Sequence, residues 1–173
     1  TLHDCWAFTG HCAYFDYVGC EKWKTGCHHC PQKRTYPASI LADNSRKNYL
    51  RKRALFTGIP NLTLTVPSHW LEGRVKESFL KDYPVVVIPN GVDQSVFHPT
   101  DGTALRQKLG LEGKYVILGV ANVWERRKGL PAFLKLAEKL PESMQIILIG
   151  LSKKQLKNLP SNVMGGERTE SAQ

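Results

Sequence analysis

All five cysteines of the chain, and four of its six histidines, fall between His3 and Gln32. Thiolate sulfur and imidazole nitrogen are the ligands zinc prefers, and thiolate is also the nucleophile of thiol chemistry. Cys12, Cys20, Cys27 and Cys30 are separated by seven, six and two residues, with Cys5 left over. Only Cys27 and Cys30 form a Cys-x-x-Cys pair, so the spacing falls short of the double pair that marks a zinc finger or ribbon. Three accounts fit these residues: a structural tetrahedral zinc site on the four thiolates with His11, His28 and His29 in reserve, free packed thiols, or disulfides. The odd cysteine count weighs against disulfides.

A second cluster is cationic. "NVWERRKGL" places Arg126, Arg127 and Lys128 after an apolar run and just before a helical stripe that begins at Leu130. Helix starts carry unpaired N–H groups and positive partial charge, and open α/β sheets bind ligands outside the carboxyl ends of their strands. Phosphate suits such a place. "SRKNYLRKR" puts Arg46, Lys47, Arg51, Lys52 and Arg53 on one broad face of a predicted helix, which serves either as a solvated face or as a surface for acidic headgroups or ligands. The net charge of +9 favours an anionic partner. Nucleic acid does not fit: apart from Tyr49 no aromatic interleaves the basic residues, and no helix-turn-helix or RNP-like motif is present.

The elements that must position these groups follow from periodicity. Residues 1–37 read as an irregular loop, too polar to pack unless something clips it. A helix is expected from Ser39 to about Thr57, stopped by Gly58 and Pro60. "NLTLTV" is a short strand, and Ser68 caps a helix through "SHWLEGRVKESFL" whose apolar face is Trp70, Leu71, Val75 and Phe79. "VVVI" (85–88), "YVILGVA" and "MQIILIG" read as parallel strands buried on both faces, with a short helix closed by Gly110 before the second and an amphipathic one after it. Strand, helix, strand in this rhythm is the βαβ signature of an open parallel sheet. "PNGVDQSVFHP", rich in turn formers, separates two such units. With no methionine before Thr1 and a polar "GGERTESAQ" at the far end, the chain is expected to be an internal piece of a longer protein. No apolar run approaches the roughly 20 residues of a membrane span, and no signal-peptide pattern is present.

"VIPNGVDQSVFHP" followed by "VILGVANVWERRKGL" resembles the linker and first donor-side loop of glycosyltransferase family 4, retaining enzymes of the GT-B fold. "TLHDCWAFTGHCAYFDYVGC…GCHHCPQ" is similar to a subset of that family, frequent in capsule and exopolysaccharide biosynthesis, with a cysteine-bearing insert after its His-Asp motif, here at about 5–37. The resemblance implies an α/β fold of two Rossmann-like domains, both incomplete. Residues 1–93 would be the end of the acceptor-side domain and 94–173 the first half of the nucleotide-sugar domain, with Pro89, Asn90, Gly91, Val92 and Asp93 as linker.

The resemblance also implies roles. Lys128 matches the lysine that contacts the donor diphosphate, and the role of a family arginine, replaced here by the Ala121–Asn122 region, would pass to Arg126 or Arg127 or go unfilled. His3, oriented by Asp4, matches the active-site histidine near the transferred sugar; without the resemblance it would read as a buried strand-end histidine. The partners would be a nucleoside-diphosphate sugar, a glycan or lipid-linked acceptor and an anionic membrane surface, in the cytoplasm or at the inner face of the membrane. Such chemistry requires no cofactor and no cysteine nucleophile, which leaves the cysteines a structural role, with zinc as the one metal they suggest. The family's two glutamates separated by seven residues find no match, since Glu167 and Glu170 are the last two. The piece alone is therefore expected to transfer no sugar. A different class stays open: a zinc-stapled α/β module that docks a polyanion through its basic helix.

Overall fold

The computed structural model of the chain describes residues 1–39 and 41–168. Two compact units divide it, one from Thr1 to Val92 and one beginning at Asp93. Both are mixed α/β with parallel strands, as Rossmann-like pieces are.

In the first unit, the described backbone from Thr1 to Asn44 contains three 3-10 turns, Trp6–Phe8, Asp16–Val18 and Lys22–Lys24, and no helix or strand. The expectation that this stretch is too polar to pack is wrong. Phe15 stacks on Trp23 with ring centroids 4.6 Å apart, and Phe8 lies 5.5 Å from Trp23. Together with Cys5 and Cys12 these rings share one core with Leu64, Val66, Leu71, Val75 and Leu80. Each buried aromatic sits in or directly before a tight turn, so no period of two or 3.6 betrays it.

Helix α1 spans Ser45–Phe56, beginning six residues later than expected from Ser39. The Asp43 carboxylate accepts the N–H of Ser45 at 2.9 Å and that of Cys30 at 2.7 Å, offering the backbone a partner other than a helix turn. Strands β1 (Leu64–Val66) and β2 (Val85–Val87) pair in parallel around helix α2 (His69–Lys76). Ser68 caps α2 as its type predicts, its Oγ accepting the Leu71 N–H at 3.3 Å. Leu71 and Val75 face the core, whereas Trp70 is 46% exposed with the Arg74 guanidinium over its ring, and the helix stops short of Leu80. Strand β2 is not buried on both faces: Val86 and Ile88 are exposed, because among the described residues β2 pairs only with β1.

The second unit runs α3 (Thr103–Lys108), β3 (Tyr115–Val120), α4 (Leu130–Ala137), β4 (Met144–Ile149), α5 (Lys153–Leu156) and β5 (Val163–Gly166). The parallel order β3–β4–β5 makes β4 central and buried. At the edge, β3 departs from the double-sided burial expected of it, with Tyr115, Leu118 and Val120 exposed. Ala121, Trp124, Ala137, Ile146, Leu148, Leu151 and Val163 form this unit's core. Elements α5 and β5 were not foreseen, although Ser152 and Gln155 make a complete capping box of the Ser-x-x-Gln type. No described helix is long and apolar enough to cross a membrane.

Candidate functional site

At the carboxyl ends of β1 and β2 the first unit has a pocket of about 250 Å³, lined among others by His3, Thr65, Pro67, Ile88, Asn90 and Gly91. Parallel pairing builds it. The Leu2 N–H donates to the Thr65 carbonyl at 2.8 Å, so the chain start runs beside β1, while the Ile88 N–H donates to the Val66 carbonyl at 2.8 Å and aligns the Pro89–Gly91 turn. His3 is exposed at the rim, so it is not the buried, backbone-bonded histidine that its strand-end position suggests. Asp4 does not orient it. Its Oδ1 accepts the Trp6 N–H at 2.8 Å and thereby opens the first 3-10 turn. Beyond the pocket, Val92 is exposed, and the Asp93 carboxylate accepts the hydroxyl and amide of Ser95 at 2.6 and 2.9 Å. Those donors hold the Asp93 carboxyl below its ordinary value.

Behind His3 and Asp4 stands a residue assigned to the wrong surface by its sequence context. Ser45, Tyr49 and Lys52 form the buried line of α1, at the i, i+4, i+7 spacing of one helix face. Lys52 therefore leaves the basic patch: it is 8% exposed, and its Nζ donates to the carbonyls of Trp6 at 2.5 Å and Thr9 at 3.0 Å. Burial pulls its ammonium down to about 8. Arg46, Lys47, Arg51 and Arg53 remain exposed, alongside Leu50 and Leu55.

All five cysteines are free thiols. The Cys12 and Cys30 thiols influence one another: Cys30 together with burial raises the Cys12 thiol strongly, and Cys12 brings Cys30 down to about 7. Cys27 accepts the Gly10 N–H at 3.1 Å, while burial pushes its thiol up to about 11. Among the described residues no group of three or more His, Cys, Asp or Glu side chains is placed to hold a metal ion.

In the second unit, Arg126–Lys128 form a 3-10 turn after β3, and Gly129, in the left-handed region at φ 82°, leads into α4. Arg126 and Lys128 are exposed, while the Arg127 Nε lies 3.4 Å from the Glu125 carboxylate. The loop is anchored from below: Trp124 is buried and its Nε1 donates to the Ile149 carbonyl at 2.9 Å, and the Gln155 side chain donates to the Trp124 carbonyl at 3.0 Å. Trp124 and Gln155 are supports that the sequence reading missed; the capping-box spacing was the one available signal. Glu167 is exposed after β5, and Glu170 lies outside the described residues.

No family model and no solved structure matches the chain. Over 56 residues it is 48% identical to an Escherichia coli (strain K12) protein named "Putative colanic acid biosynthesis glycosyl transferase WcaC". That match covers 32% of this chain and 13% of the relative.

Proposed function

We propose that the chain belongs to a retaining glycosyltransferase of the GT-B type, which moves a sugar from a nucleoside diphosphate to a glycan or lipid-linked acceptor in surface-polysaccharide synthesis. The observation that carries the reading is the meeting of His3 with Asn90 and Gly91 in one pocket. Two sequence blocks that separately resemble the family's acceptor-side motif and its linker thus line the same cavity. The short match to a named glycosyl transferase supports the same class.

In this reading the exposed His3 imidazole donates to a sugar hydroxyl or stabilises charge that develops as the glycosidic bond breaks. Lys128 and Arg126 offer cations and N–H donors to the diphosphate, and the charge-assisted bonds they form are the strong kind. Arg127, engaged with Glu125, is the lesser candidate. The exposed face of Arg46, Lys47, Arg51 and Arg53 meets anionic headgroups at the inner face of the membrane. Because the spaced glutamate pair is absent from the sequence, this chain by itself binds donor without turning it over.

Calorimetric titration with UDP- and GDP-sugars tests the proposal. One nucleotide sugar should bind, and Lys128→Ala should weaken it about tenfold or more, the value of a lost charge-assisted hydrogen bond. Affinity that is unchanged in Lys128→Ala would sink the diphosphate role. A chain indifferent to every nucleotide sugar, yet retaining a polyanion through Arg46, Lys47, Arg51 and Arg53, would favour the docking module instead.

A further inference from the structure

We propose that a hollow of about 260 Å³ in the first unit, lined by Asp4, Trp6, Ala13, Tyr36 and Pro37, binds a neutral sugar residue of the acceptor glycan. Two exposed rings motivate the reading. Trp6 is 47% and Tyr36 70% exposed, and both border the same concavity. Large aromatic side chains are usually drawn into a core, so a pair left in solvent around one hollow marks a surface kept for a ligand. Trp6 follows His3 by three residues, which places its backbone within about 11 Å of that of His3. That the glycan is the acceptor rests on the transferase reading; that the ligand is a sugar rests on the hollow itself.

The segments that line the hollow are tied to one another. The Asp4 carboxylate accepts the Trp6 N–H at 2.8 Å and opens a turn that leaves Trp6 outside while Phe8 enters the core. The Cys5 N–H donates to the Ala13 carbonyl at 3.0 Å, which sets the buried Ala13 beside that turn. Gln32 is only 3% exposed, and its Nε2 donates to the Tyr14 carbonyl at 2.6 Å. The Gln32 carbonyl in turn accepts the N–H and the hydroxyl of Thr35, both at 2.9 Å. The buried glutamine thus fastens the turn that carries Tyr36 and Pro37 to the residue next to Ala13. A hollow whose walls are cross-tied in this way is pre-formed, as small-molecule sites usually are.

The chemistry of the lining selects the occupant. A pyranose ring presents C–H groups on its faces and hydroxyls around its edge. The C–H groups stack on the negative face of an aromatic ring, and the hydroxyls donate to carboxylate oxygens. One Asp4 oxygen holds the Trp6 N–H, and the other keeps acceptor sites for a hydroxyl, in a bond of the stronger, charge-assisted kind. The same carboxylate repels phosphates and uronic acids and makes a poor neighbour for an acyl chain. A cation fits no better, because the Lys52 ammonium already covers one face of the Trp6 ring at 3.3 Å from its centre and would repel a second. Lys52 itself lines a separate hollow with Asn48 and Phe56, and the lining around Tyr36 holds no basic residue. In the transferase reading the donor diphosphate lies on Lys128 and Arg126 of the second unit and the transferred sugar at His3. A platform in the first unit, three residues beyond His3, therefore serves the acceptor.

The test uses the whole chain and no nucleotide. An array of neutral oligosaccharides and their uronic-acid-containing counterparts is screened, and the strongest neutral binder is titrated by calorimetry. A neutral oligosaccharide should bind at least about tenfold more tightly than its acidic counterpart. Tyr36→Ala should weaken it about tenfold, Tyr36→Phe less than about threefold, and Asp4→Asn, which keeps an oxygen for the Trp6 N–H, about fivefold or more. Tyr36 is exposed and stands outside the core of the unit, so its removal leaves the fold intact. Tyr17→Ala, at an exposed tyrosine that does not line the hollow, should change nothing. Failure to retain any neutral oligosaccharide overturns the inference, and so does an affinity that Tyr36→Ala leaves within about twofold. Cosedimentation with phosphatidylcholine vesicles that Tyr36→Ala abolishes, in place of sugar binding, would make the two rings a membrane anchor and overturns it as well. Loss of the subsite leaves the transferase reading standing, because nucleotide-sugar affinity is read separately through Lys128. A glycan held by a chain indifferent to every nucleotide sugar would count against the transferase reading alone.

Discussion

The Lys52 ammonium lies 3.3 Å from the centre of the Trp6 ring while donating to the carbonyls of Trp6 and Thr9. One side chain of α1 thereby holds the turn that follows His3 and Asp4. Lys52→Met keeps the length and the apolar stem but leaves two carbonyls unpaired and removes the cation over the ring. About 3 kcal/mol of stability should be lost, read as a lower urea midpoint at constant slope. A shift under about 0.5 kcal/mol, the size of a surface substitution, would show that the clamp contributes nothing.

Gly150→Ala should be among the most damaging single changes in the second unit. Gly150 has φ 91°, and a Cβ there would stand 1.8 Å from the Ala121 carbonyl oxygen. Strain and backbone displacement together should cost at least about 3 kcal/mol. Thermal unfolding of the variant measures it, and a melting temperature equal to that of the unaltered chain contradicts the packing described between the ends of β3 and β4.

Cys5 gives the first unit a pH dependence of definite sign. Burial, followed by the nearby Asp16 and Asp4, pushes its thiol up to about 12. An unfolded thiol ionises near 8.5. Between about 8.5 and 12 the native chain therefore holds the extra proton, and stability falls as pH rises through that window. Cys5→Ala should flatten this part of the stability profile relative to the unaltered chain, as measured by denaturant titration at several alkaline pH values.

The exposed part of the basic helix can be tested without touching Lys52. Replacing Lys47, Arg51 and Arg53 by glutamate should weaken sedimentation with vesicles rich in phosphatidylserine by at least tenfold, at about 1 kcal/mol per cation. Unchanged cosedimentation would make these cations a solvated face and nothing more.

What the sequence disclosed, and what it hid, divides along a physical line. The Ser68 cap, the stripe of α4 and the alternation of parallel strands with helices depend on neighbours within a turn or two, and all were legible. Burial depends on partners far along the chain. Val86 and Val120 look like core residues until the strands beside them are counted, and Trp70 and Lys52 exchange the sides that hydrophobicity assigns to them. Strand β5 stayed hidden because "VMGG" ends in two glycines, residues that strands disfavour. At the site, His3 and the Pro-Asn-Gly turn could be named from residue types, but their shared pocket required the pairing of β1 with β2. Nothing local in Asp4 told that its carboxylate serves a turn and not the neighbouring imidazole.

The loop that carries Arg126 and Lys128 has an entropic consequence. Its backbone is tied to Ile149 through Trp124 and to α5 through Gln155, bonds made when the unit folds. A flexible cationic loop would have to be ordered at the moment of binding, and each ordered side chain and peptide unit would detract from affinity. Here the main chain has already surrendered that freedom, so an anion arriving at this end of the sheet has only two long side chains left to still.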